Sequence, residues 1–231
     1  MFPLLSEKEP NMKSQFTDEA LAQIQACGAI AVLVIDDAAN AVPTAKALMD
    51  GGINAIELTL RTPAALDALA NILREIPEML AGVGTILTPE QVQKVAEAKA
   101  AFGVAPGLNE KVVLAAQAAG LPFAPGIMTP SEIEKAVELG CRELKLFPAE
   151  PCGGMKYLKS VSAPYAHLGL KYLPLGGLSL ENIGPYVESP LLLALGGSWI
   201  AKRDLIQKQD WATIRTNAQA TREKIDGIRG K

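Results

Sequence analysis

Short apolar runs alternate with amphipathic segments along the chain from residue 29 onward. The runs are rich in branched apolar residues and end in glycine or proline, which is typical of β-strands. The segments between them repeat apolar positions every three or four residues, which is typical of helices. The pattern predicts eight strands, Ala29–Ile35, Ala55–Leu60, Ala81–Gly84, Phe102–Ala105, Pro122–Ala124, Glu143–Phe147, Tyr172–Leu175 and Leu192–Leu195. Eight βα units favour an α/β fold, a single (β/α)8 barrel, over a doubly wound sheet.

Residue types at the segment ends support the predicted helices, among them Ala64–Ile76, Pro89–Ala100, Glu110–Ala119 and Pro130–Leu139. Thr88 and Thr129 each precede a proline, so we expect them to be N-caps with proline at the first helical position. Gly51, Gly120 and Gly140 follow apolar helical patterns and are expected to end helices.

The start of the chain differs in pattern from the rest. Residues 1–16 are predicted to be poorly ordered, and Met12 is an alternative start. Residues 17–27 are predicted to form an N-terminal helix that covers the barrel floor. The short connections leave no room for a second domain, so residues 1–231 are expected to form one domain.

Composition narrows the class of protein. Hydrophobic residues make up 49% of the chain and charged residues 20%, which is enough apolar material for a large core. The net charge of -3 is spread along the chain and gives no basic surface for nucleic acid. No apolar run approaches the ~18 residues that span a bilayer, and the first residues lack an export signal. We therefore expect a cytoplasmic protein without membrane or nucleic-acid partners.

Cysteine and histidine are too few for a metal cluster or a disulfide framework. Cys27, Cys141 and Cys152 are scattered, and His167 is the one histidine. A reducing compartment and the absence of a metal site are therefore expected. His167 has no evident partner in sequence and is given no function.

The second predicted strand carries polar residues at alternate positions. Glu57, Thr59 and Arg61 occupy one face, because successive side chains of a strand point to opposite sides. If the other face meets the helices, this face points into the barrel near the end where barrel active sites lie. The alternative is a half-exposed strand with a solvated polar face.

The sixth predicted strand repeats this alternation. Glu143, Lys145 and Phe147 share a face, so Lys145 is expected to point inward. Burial disfavours a charged ammonium, and the neutral amine can attack a carbonyl group. The alternative is a lysine that forms a structural ion pair and does no chemistry.

Loop residues after four strands offer further contacts. Thr85 and Pro106 follow the third and fourth strands, where a barrel turns into its active-site loops. Glycine pairs follow the seventh and eighth strands, at Gly176-Gly177 and Gly196-Gly197-Ser198. Barrels often bind phosphate there through backbone N–H groups, although glycine pairs also serve as tight turns.

Three motifs, E-x-T-x-R, G-x-G-T and K-x-F-P-A-E, and three shorter segments occur in a fixed order along the chain. The six segments are Glu57–Thr62, Gly82–Thr85, Pro106–Gly107, Pro125–Ile127, Lys145–Glu150 and Gly196–Trp199. As an ordered set they resemble the family of 2-keto-3-deoxy-6-phosphogluconate (KDPG) aldolase and 4-hydroxy-2-oxoglutarate (KHG) aldolase. The resemblance covers roughly residues 25–225.

The resemblance implies a class I aldolase without metal or cofactor, usually a homotrimer, that cleaves a 2-keto-3-deoxy sugar acid. A small keto acid, KDPG first, would give pyruvate and an aldehyde, glyceraldehyde 3-phosphate. It implies that Lys145 forms the Schiff base and that Glu57 moves protons. The other roles implied are carboxylate binding by Arg61 and Thr85, pocket lining by Pro106 and Phe147, and phosphate binding by Gly176, Gly177, Gly197 and Ser198.

Two positions depart from the family pattern. Leu175 stands where a threonine is common, and Ala105 stands where a serine is frequent. Both leave the identity of the aldehyde half open, so a KHG aldolase giving pyruvate and glyoxylate stays an alternative. The residues also leave open a phosphosugar isomerase or epimerase with Glu57 as base, and a non-catalytic barrel that binds a sugar acid.

Overall fold

Parallel strands and helices alternate through residues 14–230, the part of the chain that the computed structural model describes. The strands are β1 Ala29–Leu33, β2 Ala55–Thr59, β3 Leu80–Gly84, β4 Gly103–Val104, β5 Phe123–Ala124, β6 Gly126–Ile127, β7 Glu143–Leu146, β8 Lys171–Pro174 and β9 Leu195–Gly197. The α-helices are α1 Asp18–Cys27, α2 Ala41–Asp50, α3 Ala65–Glu75, α4 Pro89–Glu97, α5 Glu110–Ala118, α6 Pro130–Glu138, α7 Gly154–Ser162, α8 Gly184–Val187, α9 Arg203–Gln207 and α10 Trp211–Arg229. Short 3-10 turns lie at Ala38–Asn40, Glu150–Cys152 and Ala163–Leu168.

The strands form two parallel sheets, in the orders β5-β4-β3-β2-β1-β9 and β6-β7-β8. Only Pro125 separates β5 from β6. Proline has no N–H, so the ladder breaks there, while the Pro125 carbonyl still accepts a hydrogen bond from the Lys145 N–H at 2.9 Å. The α/β class with a parallel, curled sheet is therefore confirmed.

Both faces of the central strands are buried. Ile56 and Leu58 are fully buried on one face of β2, and Glu57 and Thr59 are each 3% exposed on the other. A parallel sheet covered on both sides is expected to read this way. The alternative of a solvated polar face on this strand is therefore wrong.

Helix ends follow the capping residues of the sequence. Thr88 and Thr129 each complete a capping box at the starts of α4 and α6, with proline at the first turn. Gly51 caps α2, and Gly120 and Gly140 follow α5 and α6 with φ of +67° and +79°. Within residues 14–230, no helix combines the length and the apolar character needed to cross a bilayer.

Seven of the eight predicted strands agree with the observed ones to within two residues at each end, the eighth is displaced along the chain, and one short strand was not predicted. The eighth strand was expected at Leu192–Leu195, but β9 is Leu195–Gly197, because Gly196 and Gly197 pair with β1. Glycines carry no side chain and so give no alternation to detect. The segment Gly126–Ile127 was not predicted as a strand because Pro125 precedes it.

The N-terminal helix is confirmed as α1, whose N-cap Thr17 accepts a hydrogen bond from Ala20 N–H at 3.1 Å. The predictions for residues 1–13, including the alternative start, lie outside the described residues. The prediction that residues 14–16 are poorly ordered is wrong, because Phe16 packs in the hydrophobic core. Phe16 is 4% exposed, and its ring centroid lies 6.1 Å from that of Phe102. The Phe102 ring in turn lies against the backbone of Gly82 on β3.

This contact makes Gly82→Ala a test of the packing. A Cβ at position 82 would lie 2.3 Å from the Phe102 ring, which is 1% exposed and cannot move away without disturbing its neighbours. We expect a loss of about 1–3 kcal/mol in the free energy of unfolding, measured by urea denaturation.

The matched control is Gly227→Ala in α10, where the new Cβ meets nothing within 4 Å. We expect that variant to gain up to about 1 kcal/mol, because alanine favours the helix. Equal stability of the two variants would contradict the packing argument.

Candidate active site

A cavity of about 350 Å³ lies where the carboxyl ends of the strands meet. Parallel α/β folds place their ligand sites at this end. All but one of the site residues predicted from the sequence line it. The complete lining is Val32, Glu57, Thr59, Arg61, Thr85, Pro106, Lys145, Phe147, Leu175, Gly176, Gly196, Gly197 and Ser198.

The floor of the cavity holds a buried ion pair. Lys145 Nζ lies 3.2 Å from Glu57 Oε1 and 3.4 Å from Oε2, and donates to both. The side chains are 6% and 3% exposed. Two charges taken out of water cost several kcal/mol each, so they persist only as a close pair. The strands β7 and β2 thus place an amine and a carboxylate in direct contact.

A glycine makes room for the carboxylate. A Cβ at Gly84, the last residue of β3, would lie 1.7 Å from Glu57 Oε1. Any larger residue at this position would displace the Glu57 side chain. On the other side, Lys145 Nζ lies 5.6 Å from the centre of the Phe147 ring, within range of a cation–π contact.

A chain of hydrogen bonds orients a second cation. Thr59 Oγ1 donates to the carbonyl of Leu33 at 3.0 Å and accepts from Arg61 Nε at 3.3 Å. Within residues 14–230, Arg61 forms no salt bridge. Its guanidinium fork is therefore open to an anionic ligand, and such forks suit carboxylates.

Thr85 has an unusual backbone conformation for its residue type. Its φ of +61° lies in the left-handed region, which costs a β-branched residue of order 1–3 kcal/mol. It borders the cavity directly after Gly84. Strain of this kind clusters at ligand sites, where surrounding structure holds the residue in place.

The two glycine loops contribute unequally. Gly176, Gly197 and Ser198, predicted to bind phosphate, line the cavity. Gly177 is not part of this lining, and a Cβ there would be 2.7 Å from Glu150 Cβ. Glycine is therefore needed in the first pair for two reasons. A Cβ at Gly177 would collide with Glu150, and both residues of the pair have a positive φ, which other residues rarely adopt.

Val32 lines the cavity without having been predicted to do so. Every residue of β1 is apolar, so the sequence offered no contrast between its two faces. Leu175 packs its side chain on Gly196, where a Cβ would lie 2.3 Å from Leu175 Cγ. Glu143, on the same strand as Lys145, is 4% exposed and stays outside the lining, and burial raises the pKa of its carboxyl.

The chemistry that these groups offer is acid–base and nucleophilic. In the described residues, no group of three or more His, Cys, Asp or Glu side chains is placed to hold a metal ion. An amine next to a carboxylate can exchange a proton with it and attack a carbonyl carbon. The cation of Arg61 nearby suits a substrate that is also an acid.

Comparison with known proteins leads to the same chemistry. The family model of KDPG and KHG aldolase matches residues 21–217. KHG/KDPG aldolase of Escherichia coli (strain K12) is 38% identical over 200 residues, which cover 87% of this chain and 92% of that protein. KDPG aldolase of Legionella pneumophila, solved with pyruvate captured as a covalent carbinolamine intermediate, is 35% identical with a TM-score of 0.83, covering 87% of this chain and 97% of that chain. KDPG aldolase of Zymomonas mobilis ZM4, solved with 3-phosphoglycerate, is 33% identical with a TM-score of 0.79, covering 88% and 94%. The chain therefore belongs to the KDPG and KHG aldolase family.

Proposed function

We propose that this chain is a class I aldolase that reversibly cleaves KDPG to pyruvate and glyceraldehyde 3-phosphate. The observation that carries the proposal is the contact of 3.2 Å between Lys145 Nζ and the Glu57 carboxylate inside the cavity. In the Legionella pneumophila relative, pyruvate is held as a covalent carbinolamine, the intermediate that attack by an amine on a ketone produces.

The first half of the reaction uses the ion pair as a proton exchanger. Transfer of a proton from Lys145 to Glu57 gives a neutral amine and a neutral carboxylic acid. The amine nitrogen attacks C2 of the keto acid, and the carbinolamine forms. Glu57 then returns a proton to the departing hydroxyl, water leaves, and a protonated imine remains.

The second half uses that imine as an electron sink. The C4 hydroxyl loses its proton to a base, for which Glu57 is the candidate, and the C3–C4 bond breaks. Its electron pair moves to C3 and the imine nitrogen as an enamine, while the aldehyde leaves. Protonation at C3 and addition of water then release pyruvate and the free Lys145 amine.

The two ends of the substrate would be held by different loops. Arg61 and Thr85 would bind the carboxylate, with Pro106 and Phe147 as apolar walls. The phosphate would be bound by Gly176, Gly177, Gly197 and Ser198, whose backbone N–H groups suit an anion. The 3-phosphoglycerate ligand of the Zymomonas mobilis relative supports a phosphate site in this family.

The same proposal covers the architecture. The chain would form one domain of residues 1–231 as a closed (β/α)8 barrel, acting as a cytoplasmic homotrimer without a cofactor. Closure is supported by the parallel bridges Tyr172–Leu192 and Leu175–Gly196, which link β8 to the chain entering β9. Because β9 pairs with β1, these bridges complete the circle on that side. The trimer rests on family resemblance.

KHG, which gives pyruvate and glyoxylate, is a second candidate substrate. Leu175 favours KHG, because the leucine side chain in the cavity lining cannot form a hydrogen bond with a hydroxyl group on a longer aldehyde half. A missing hydrogen bond of this type costs about 1 kcal/mol, whereas bonds to a charged phosphate contribute more. KDPG is therefore the preferred substrate of the two.

Pyruvate with borohydride is expected to inactivate the protein and to add one reduced pyruvyl group at Lys145. The reason is that this amine is buried against Glu57 in the cavity. Peptide mass mapping locates the adduct, and borohydride without pyruvate is the control. An isomerase, an epimerase or a binding protein would form no adduct, so its absence at saturating pyruvate would refute the class I mechanism.

Glu57→Gln is expected to keep the fold and to lower kcat about 10²-fold or more, because a general acid–base group is lost. Circular dichroism checks the fold, and steady-state kinetics check the turnover. Glu143→Gln is the matched control, since it neutralises a buried carboxyl of β7 outside the cavity lining. Normal turnover by the Glu57 variant would assign the proton transfers to another group.

KDPG is expected to be cleaved about tenfold or more better than 2-keto-3-deoxygluconate, which lacks only the phosphate. Charge-assisted hydrogen bonds from the glycine loops would supply the difference. The measurement is kcat/KM for both compounds and for KHG. Equal values, or a preference for KHG, would refute the phosphate site and leave the roles of Lys145 and Glu57 unaffected.

A further inference from the structure

The last residue of the K-x-F-P-A-E motif, Glu150, has no role in the reaction described above. It lies in the 3-10 turn after β7 and outside the cavity lining. Its Oε1 accepts a hydrogen bond of 2.5 Å from the hydroxyl of Tyr186, a residue of α8 that is 1% exposed. Burial, and next the Glu150 carboxylate, raise the pKa of Tyr186, so the hydroxyl stays a donor.

Gly154, the first residue of α7, leaves space for the Glu150 carboxylate and the Tyr186 hydroxyl. A Cβ at Gly154 would lie 2.8 Å from Glu150 Oε1 and 3.2 Å from the Tyr186 hydroxyl, and Gly154 has a φ of +63°. A carboxylate is favoured at the N-terminus of a helix of nine residues such as α7. The Glu150 carboxylate is thus held away from the cavity.

The backbone of the same segment holds the first glycine loop. Ala149 N–H donates to Leu175 O at 2.7 Å, and Glu150 N–H donates to Gly176 O at 3.0 Å. From the other side, Asn182 Nδ2 donates to Gly177 O at 3.0 Å. The carbonyls of Gly176 and Gly177 are therefore both fixed by the protein.

Fixing these carbonyls also fixes the direction of two N–H groups. In a trans peptide the N–H points opposite to the preceding C=O. The N–H groups of Gly177 and Leu178 therefore point away from Glu150 and Asn182. Within residues 14–230, neither N–H has a hydrogen-bond acceptor. Gly176, directly before them, lines the cavity.

We propose that Glu150 and Tyr186 are positioning residues that orient the N–H groups of Gly177 and Leu178 toward the substrate phosphate. The inference rests on the proposed function and extends it. The N–H groups of Gly177 and Leu178 would bind the phosphate, and Glu150 and Tyr186 would act only by holding those groups in place. The Tyr186 bond fixes the turn whose backbone holds Gly176 O, and it keeps the negative charge of Glu150 from facing the phosphate.

Tyr186→Phe tests the proposal, because it removes the hydroxyl and keeps the buried ring. We expect KM for KDPG to rise about 5- to 10-fold with kcat nearly unchanged. This is less than the loss of a whole hydrogen bond to a charged group, because the N–H donors for the phosphate remain and are only less well aligned. The kcat/KM for 2-keto-3-deoxygluconate and the rate of pyruvate trapping by borohydride should stay at the wild-type level. Tyr165→Phe is the matched control, since it loses a hydrogen bond of 3.0 Å to Glu134 outside the cavity lining.

Two variants of the acceptor complete the test. Glu150→Gln keeps an oxygen for Tyr186 and should bind KDPG within about twofold of wild type, whereas Glu150→Ala should behave like Tyr186→Phe. Equal losses on both substrates, or unchanged KDPG kinetics in Tyr186→Phe and Glu150→Ala, would overturn the positioning role. If the wild-type protein itself does not prefer KDPG, the phosphate site fails, and this proposal with it.

Discussion

The ion pair between Lys145 and Glu57 is the interaction on which the rest of the structure depends. Its members are 88 residues apart in sequence and lie on strands of different sheets. A buried pair of charges adds little net stability, and either charge alone would be strongly unfavourable. The contact is possible because the two parallel sheets curl so that β2 and β7 face each other across the interior.

Space for the ion pair and for the loops around it comes from residues without a side chain. Gly84 leaves room for the Glu57 carboxylate, Gly196 for the Leu175 side chain and Gly177 for the Glu150 methylene groups. Glycine in a strand or turn weakens local structure because the unfolded chain loses more conformational freedom on folding. The cost in conformational entropy is offset by the packing of side chains against the glycine backbone, which a Cβ would prevent. The first glycine loop thus combines close packing with the N–H groups of Gly177 and Leu178, which have no acceptor within residues 14–230.

Chemistry and recognition are divided between rigid strands and the loops that follow them. The Lys145 amine and the Glu57 carboxylate lie on β7 and β2, where backbone pairing fixes the position of each residue. In the proposed mechanism this arrangement would favour an accurate proton transfer. The residues that would select the substrate lie mostly just beyond strand ends, as Thr85, Gly176 and Ser198 do. Changes in such loops can alter specificity without disturbing the pair. Leu175, at the end of β8, is a difference of this kind.

The sequence by itself determined the features that depend on local periodicity and local chemistry. Alternation along two strands placed Glu57 and Lys145 on inward faces, and threonine–proline pairs marked helix starts. The ordered motifs identified the family. Tertiary structure alone decided that Val32 lines the cavity, that Gly177 is not part of its lining, and that Glu150 contacts Tyr186. An all-apolar strand offers no contrast between its faces, glycines carry no pattern, and a contact across 36 residues depends on how the elements pack. Local propensity contains no information about that packing.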